Sequence, residues 1–137
     1  PHYHAWKVVF LPIQYNIIEH ELPGGWKVLA GKTDVDNDYL SLKLAKPNDY
    51  WFHVRGMPGS HVVLRAGSKE APNRTILKQA AAVAAYYSKA RHGGVVPVSC
   101  TEGRYVSKPK GAKPGLVQIR KEITLKVRPA LPSSDAS

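Results

Sequence analysis

Apolar and polar residues alternate over two short runs near the middle of the chain, Trp51 to Arg55 and His61 to Arg65, with Met57-Pro58-Gly59-Ser60 between them. A period of two marks strands with one face buried, and Pro followed by Gly supplies the φ angles of a type II turn. The stretch therefore predicts a β-hairpin. Trp51, His53 and Arg55 share one face of the first strand, and His61, Val63 and Arg65 share one face of the second. Trp51 and Phe52 must then point opposite ways, one into the core and the other toward the surface beside the His and Arg groups.

Other segments follow the same logic. Trp26 to Ala30 reads as a strand after the Pro23-Gly24-Gly25 turn, and Val95 to Cys100 reads as another. Leu116 to Ile119 and Ile123 to Val127 read as two more strands around Arg120-Lys121-Glu122. Residues 75 to 91 carry the clearest helical period, with Ile76, Ala80, Val83, Ala84 and Tyr87 on one stripe. Asn73 or Thr75 suits its start, and Gly93-Gly94 its end. Asn37 or Asp38 can start a short helix or turn reaching Leu44. The first 23 residues are less regular: Trp6 to Leu11 reads as a strand stopped by Pro12, and Ile17, Ile18 and Leu22 read as packing residues. The fold class is α+β, a single mostly antiparallel sheet with one long helix packed on a face. Three parts are expected: an N-terminal extension of uncertain structure over 1–25, a domain over 26–129 and a disordered tail over 130–137.

Charge changes the picture. Of 137 residues, 20 are Lys or Arg and 10 are Asp or Glu, a net charge of +10. Residues 1 to 50 hold five basic and six acidic residues, whereas 51 to 128 hold fifteen basic and three acidic, a net of +12. Such asymmetry points to a polyanionic partner. One cysteine, Cys100, excludes an internal disulfide and reads as a buried strand residue. With neither a signal peptide nor an apolar run of membrane-spanning length, a cytoplasmic protein with no membrane partner is expected. The chain opens on Pro1 rather than Met, which leaves room for upstream domains or other subunits.

Several motifs fail on spacing. Gly31-Lys32-Thr33 imitates the end of a P-loop, but Trp26 stands where the first glycine belongs. Asp34, Asp36 and Asp38 alternate as in a calcium loop, but Tyr39 and Ala45 occupy the required Gly and Glu positions, so capping is the better role. His2 and His4 are two ligands and make no closed metal site. No cofactor and no metal are expected. The basic stretch Tyr105 to Gly115 interleaves Lys108, Lys110 and Lys113 with Pro109, Gly111, Pro114 and Gly115. Pro and Gly forbid a regular helix there and favour a constrained loop whose lysines act as point charges for phosphate.

Three blocks carry a family resemblance. D-Y-W-F-H-V-R-G-M-P-G-S-H-V-V-L-R at 49–65, Gly31 with Asn37-Asp38-Tyr39-Leu40, and V-S-K-P-K-G-A-K-P-G at 106–115 together resemble the NFACT-R domain. Lys32 stands where that family usually has Arg, which keeps the charge and loses the bidentate fork. The resemblance covers residues 26 to 129 and implies an RNA-binding module of ribosome quality-control proteins, also found stand-alone. Its partner would be tRNA or rRNA on the large ribosomal subunit. The residues expected to bind nucleic acid are Lys32, His53, Arg55, His61, Arg65, Lys89, Arg91, Lys108, Lys110 and Lys113, held by a basic His/Arg hairpin and a Lys-Pro-Gly loop. Lys89 and Arg91 serve equally as complements to the helix dipole. His53 and His61 would strengthen binding as pH drops through about 6.5, the ordinary imidazole pKa. No catalytic residue is assigned. The alternatives are an RNA-modifying enzyme or its accessory subunit, drawing on His53, Ser60, His61 and Cys100, and a protein-interaction adaptor.

Overall fold

The protein is described by a computed structural model, which describes residues 14–68 and 70–133. The predicted strand at 6–11, His2 and His4, and residues 134–137 of the tail lie outside the described residues. Six strands form an entirely antiparallel sheet: β1 (Ile17–Leu22), β2 (Trp26–Gly31), β3 (Tyr50–Val54), β4 (Val62–Leu64), β5 (Val96–Glu102) and β8 (Ile123–Val127). Their spatial order is β1-β2-β4-β3-β5-β8. A separate two-stranded ribbon pairs β6 (Val106–Ser107) with β7 (Gln118–Ile119), so the expected single sheet is in fact a sheet plus a ribbon. β1 falls inside the 1–25 segment and pairs along its whole length with β2, from Ile17↔Gly31 to Leu22↔Trp26.

The expectation of one long helix is corrected. Helix α1 (Asp34–Tyr39) is six residues and helix α2 (Arg74–Tyr86) is thirteen. Asn73 caps α2 by accepting from the Ile76 amide at 2.9 Å. The helix stops five residues short of Arg91 because its last turn is drawn into tertiary hydrogen bonds. The Ser60 amide donates to the Tyr87 carbonyl at 2.9 Å, Gly59 bridges to Ser88, and the Ser88 hydroxyl donates back to Ala85 at 2.7 Å. A hydroxyl that bonds the backbone offers the chain an alternative to continuing the helix. Helix α1 begins earlier than expected, with Thr33 as its N-cap in a capping box with Asp36, and runs into a π turn over Leu40–Leu44.

Both faces of the sheet are covered. Helix α2 lays Ala80, Ala81, Val83, Ala84 and Ala85 over one face, against Phe52, Val54, Val62 and Leu64. On the other face Trp51 and Val63 pack with Leu40, flanked by Leu44, Val106, Val117 and Ile119. Strand alternation does send Trp51 and Phe52 opposite ways, but each meets a core, and both are buried. The surface position expected for one of them does not exist. The turn chemistry also shifts: the positive φ of 78° falls on Gly56. Gly59 instead lets the chain approach the end of α2, where an added Cβ would lie 2.7 Å from that of Ser88.

Candidate nucleic-acid interface

Three basic side chains from two segments far apart in sequence converge at one end of the sheet. Lys32 follows β2, and Lys89 and Arg91 lie in the unwound segment after α2. Together they line an open cleft of about 470 Å³, whose walls include Gly31, Gly59, Ser60 and Tyr87. All three are exposed. Their backbones are anchored: Lys32 N–H donates to Asn16, Lys89 N–H to Pro58 and Arg91 N–H to Ser88. The Arg91 guanidinium is further fixed, its Nε donating to the Tyr86 carbonyl at 2.7 Å and its carbon lying 3.9 Å from the Tyr86 ring centroid. Among the described residues none of the three has an ion-pair partner within 4 Å. Among the described residues Asp34 is the single acid on the cleft wall.

The Lys-Pro-Gly loop abuts this cleft at Asp34, where a Cβ on Gly115 would come within 2.7 Å of the carboxylate. Gly115 takes φ 89°, open only to glycine without strain, and its amide donates to Asp38 at 3.0 Å. Lys108 is part of the loop's own construction. Its ammonium reaches Asp38 at 2.9 Å and the carbonyls of Lys113 and Leu116, and its side chain is only 26% exposed. Lys110 and Lys113 remain exposed and without an ion pair among the described residues. The loop thus splits the three expected phosphate ligands into one internal clamp and two free charges.

The hairpin face departs furthest from expectation. His61 is 4% exposed. Its Nδ1 shares a 2.8 Å hydrogen bond with the Ser41 hydroxyl, which also accepts from Trp51 Nε1 at 2.8 Å. The His61 amide donates to the Asn37 side chain at 3.0 Å. His53 stands beside it, ring centroids 5.5 Å apart, and also contacts Trp51. Burial pushes the His61 imidazole down to about 4, aided by the neighbouring His53, and burial lowers His53 as well. The expectation that His61 lines a phosphate surface is therefore corrected: it is a neutral ring in a buried network. Burial thus disfavours the charged form of both rings.

The two hairpin arginines also differ. Arg65 donates to the Leu44 carbonyl at 2.6 Å and lies 3.3 Å from Asp49, whose side chain is 2% exposed. Asp49 in turn accepts from the amides of Lys46 and Ala66. Arg65 therefore ties β4 to the end of the π turn. Arg55 is exposed, donates to Thr124 at 2.7 Å and lies 3.6 Å from Glu122. Asp38, Ser41 and Asp49, which decide where the Lys108, His61 and Arg65 side chains go, escape sequence reasoning. Asp38 and Tyr39 stood in a recognised block, but linear spacing carries no sign of their partners.

Cys100 is buried, and burial pushes its thiol up to about 12, the opposite of an activated nucleophile. No group of three or more His, Cys, Asp or Glu among the described residues has the arrangement to hold a metal. Nor is any described helix long and apolar enough to cross a membrane.

An antiparallel sheet with a basic cleft and a clamped Lys-Pro-Gly loop is consistent with the family match. Residues 18–121 match the NFACT protein RNA binding domain, and the chain belongs to that family. It is 44% identical over 110 residues to the Rqc2 homolog RqcH of Bacillus subtilis, covering 80% of this chain and 19% of that protein. It is 43% identical over 102 residues to the Rqc2 homolog RqcH of Streptococcus suis, covering 74% and 18%. The chain thus spans about a fifth of the length of these relatives. A solved structure, the C-terminal part of the fibronectin/fibrinogen-binding protein from Streptococcus suis, superposes with a TM-score of 0.76 at 36% identity, covering 94% of this chain and 49% of that one.

Proposed function

We propose that this domain binds structured RNA, tRNA or rRNA of the large ribosomal subunit, in the context of ribosome quality control. Binding is mainly electrostatic and reads shape and phosphate positions more than base identity. The observation that carries this reading is the convergence of Lys32, Lys89 and Arg91 on one cleft, bordered by the loop of Lys110 and Lys113, with no ion-pair partner consuming them among the described residues. Charges that a fold leaves unpaired on one concave face are available to a polyanion. Arg55, exposed on a separate hollow beside Glu122, adds a further cationic contact. Lys108 clamps the bordering loop from within through Asp38.

Filter binding of the 137-residue chain to tRNA across salt concentrations tests the proposal. Several phosphate contacts predict at least about a tenfold loss of affinity between roughly 50 and 200 mM salt. An affinity that stays flat over that range would overturn it and favour a partner held by apolar contact.

A further inference from the structure

Resting on the RNA reading above, we infer that the cleft between Gly31, the Pro58–Ser60 turn and the unwound end of α2 is a receptor for a terminal phosphate of an RNA strand. Its net charge is the first argument. Lys32, Lys89 and Arg91 contribute three positive charges and Asp34 one negative, a balance of +2. Tyr87, hydrogen-bonded to the His20 ring at 2.7 Å, is neutral, because burial raises its phenol further. An internal phosphodiester carries one negative charge. A terminal phosphomonoester carries about 1.5 to 2 near neutral pH and three acceptor oxygens, which matches the cleft better.

The donors' state is the second argument. The hydroxyls on the cleft wall are already committed: Ser60 donates to the Gly31 carbonyl, Ser88 to Ala85 and Thr33 to Asp36. The wall's three cations have no ion-pair partner among the described residues. Arg91 uses its Nε on Tyr86 and its planar face on the Tyr86 ring, which leaves the two terminal nitrogens as a fork of fixed direction. A fixed fork suits two oxygens of one phosphate. Lys32, after β2, and Lys89, on the same segment as Arg91, supply point charges, each on a backbone held by a hydrogen bond. Size is the third argument. About 470 Å³ accommodates a phosphate with its ribose and leaves the rest of the strand outside, where Lys110 and Lys113 lie on the bordering loop.

The test compares one short RNA hairpin with a 5′-phosphate, with a 3′-phosphate and with both ends dephosphorylated, against the wild-type chain and Arg91→Ala and Arg91→Lys variants. One phosphorylated form should bind at least about tenfold tighter than the dephosphorylated RNA, the lower range of a charge-assisted hydrogen bond. Which of the two does so assigns the 5′ or 3′ end. Arg91→Ala should abolish that preference, and Arg91→Lys should restore only part of it, since lysine lacks the fork. A second arm titrates adenosine 5′-monophosphate, adenosine 3′-monophosphate and adenosine into ¹⁵N-labelled protein. Amide shifts at Lys32, Gly59, Ser60 and Arg91 are expected with a monophosphate alone. If RNA binds equally well with and without a terminal phosphate, the inference is overturned and the RNA reading stands. If RNA fails to bind while a monophosphate shifts those amides, the cleft is a phosphate site and the RNA reading falls. If neither happens, both fall.

Discussion

The network of clamped polar side chains and the basic rim around the cleft use the same residue types and differ in what those residues touch. In the network, Lys108 finds Asp38, Arg65 finds Asp49 and His61 finds Ser41. On the rim, Lys32, Lys89, Arg91, Lys110 and Lys113 find no acid within ion-pair distance among the described residues. A buried polar group must be satisfied inside the protein, because leaving it unpaired costs far more than a typical net hydrogen bond returns. An exposed cation carries no such obligation and stays available. The number of basic residues in a stretch is therefore a poor guide to which of them meet a ligand. Their separation from Asp38 and Asp49 in space is a better one.

Mutations should divide along that line, from changes in stability to changes in affinity alone. The largest effect is expected at the shared sheet. Phe52→Ala removes a fully buried ring from the α2 face and should cost roughly 3–5 kcal/mol in denaturant unfolding. Trp51→Ala should cost a similar amount on the opposite face, because the sheet is covered on both sides. A change below about 1 kcal/mol at Trp51, far short of the usual cost of truncating a buried aromatic, would mean that the loop face is not a core.

Next comes the neutral His61. Its folded pKa of about 4 lies below the unfolded value of about 6.5. Neutral burial therefore contributes fully above about pH 6.5, and the contribution is lost as pH falls toward about 4, because the unfolded chain takes up the proton first. The loss is on the order of 3 kcal/mol across that window. Unfolding curves for wild type and His61→Gln between pH 7 and pH 4 check it: the wild type should lose more stability than the variant. RNA affinity of the folded protein should not rise as pH drops through about 6.5 on account of His61, whose pKa is about 4, and burial disfavours charging His53 as well. A rise that disappears in His53→Gln and His61→Gln would return these residues to the binding surface.

Arg65→Ala and Lys108→Ala sharpen the comparison at its boundary. Arg65→Ala strands the buried Asp49 carboxylate and should cost about 1–3 kcal/mol of stability. Its effect on RNA should follow the loss of folded protein. Lys108→Ala releases the contacts to Asp38, Lys113 and Leu116 and should loosen the loop. It should reduce affinity more than Lys110→Ala or Lys113→Ala does, and speed amide hydrogen exchange at Gly111 and Gly115. Equal effects of all three lysines would make Lys108 an ordinary contact.

The smallest effects are expected for single rim charges. Arg91→Ala, Lys32→Ala, Lys89→Ala, Lys110→Ala and Lys113→Ala should leave the melting temperature unchanged and each lower the salt slope of RNA binding by about 1. Arg91 should lead, because its fork is already fixed over Tyr86, whereas an exposed lysine must lose side-chain entropy on binding. A rim change that lowers the melting temperature would blur the division.

Much of this was legible in residue order. Alternation at Trp51–Arg55, the apolar stripe of Ile76, Ala80, Val83 and Ala84, and the asymmetry of charge placed a hairpin, a helix and a basic half. Local patterns suffice for such features because strand and helix periods are properties of a few neighbouring residues. Asn73 as a cap belongs to the same class, since its acceptor and the Ile76 amide lie three residues apart. What residue order did not reveal depends on contacts across the fold. The second core, on the Trp51 face, exists only because the π turn and the β6–β7 ribbon close over it. The early end of α2 follows from the Ser60 amide meeting Tyr87, and that unwinding is what turns Lys89 and Arg91 into the cleft. Whether a lysine or arginine is a clamp or a free charge was decided by which carboxylate the folded chain brought beside it. Coulomb attraction and desolvation depend on distance in space, and local sequence spacing does not encode that distance for Lys108 and Asp38.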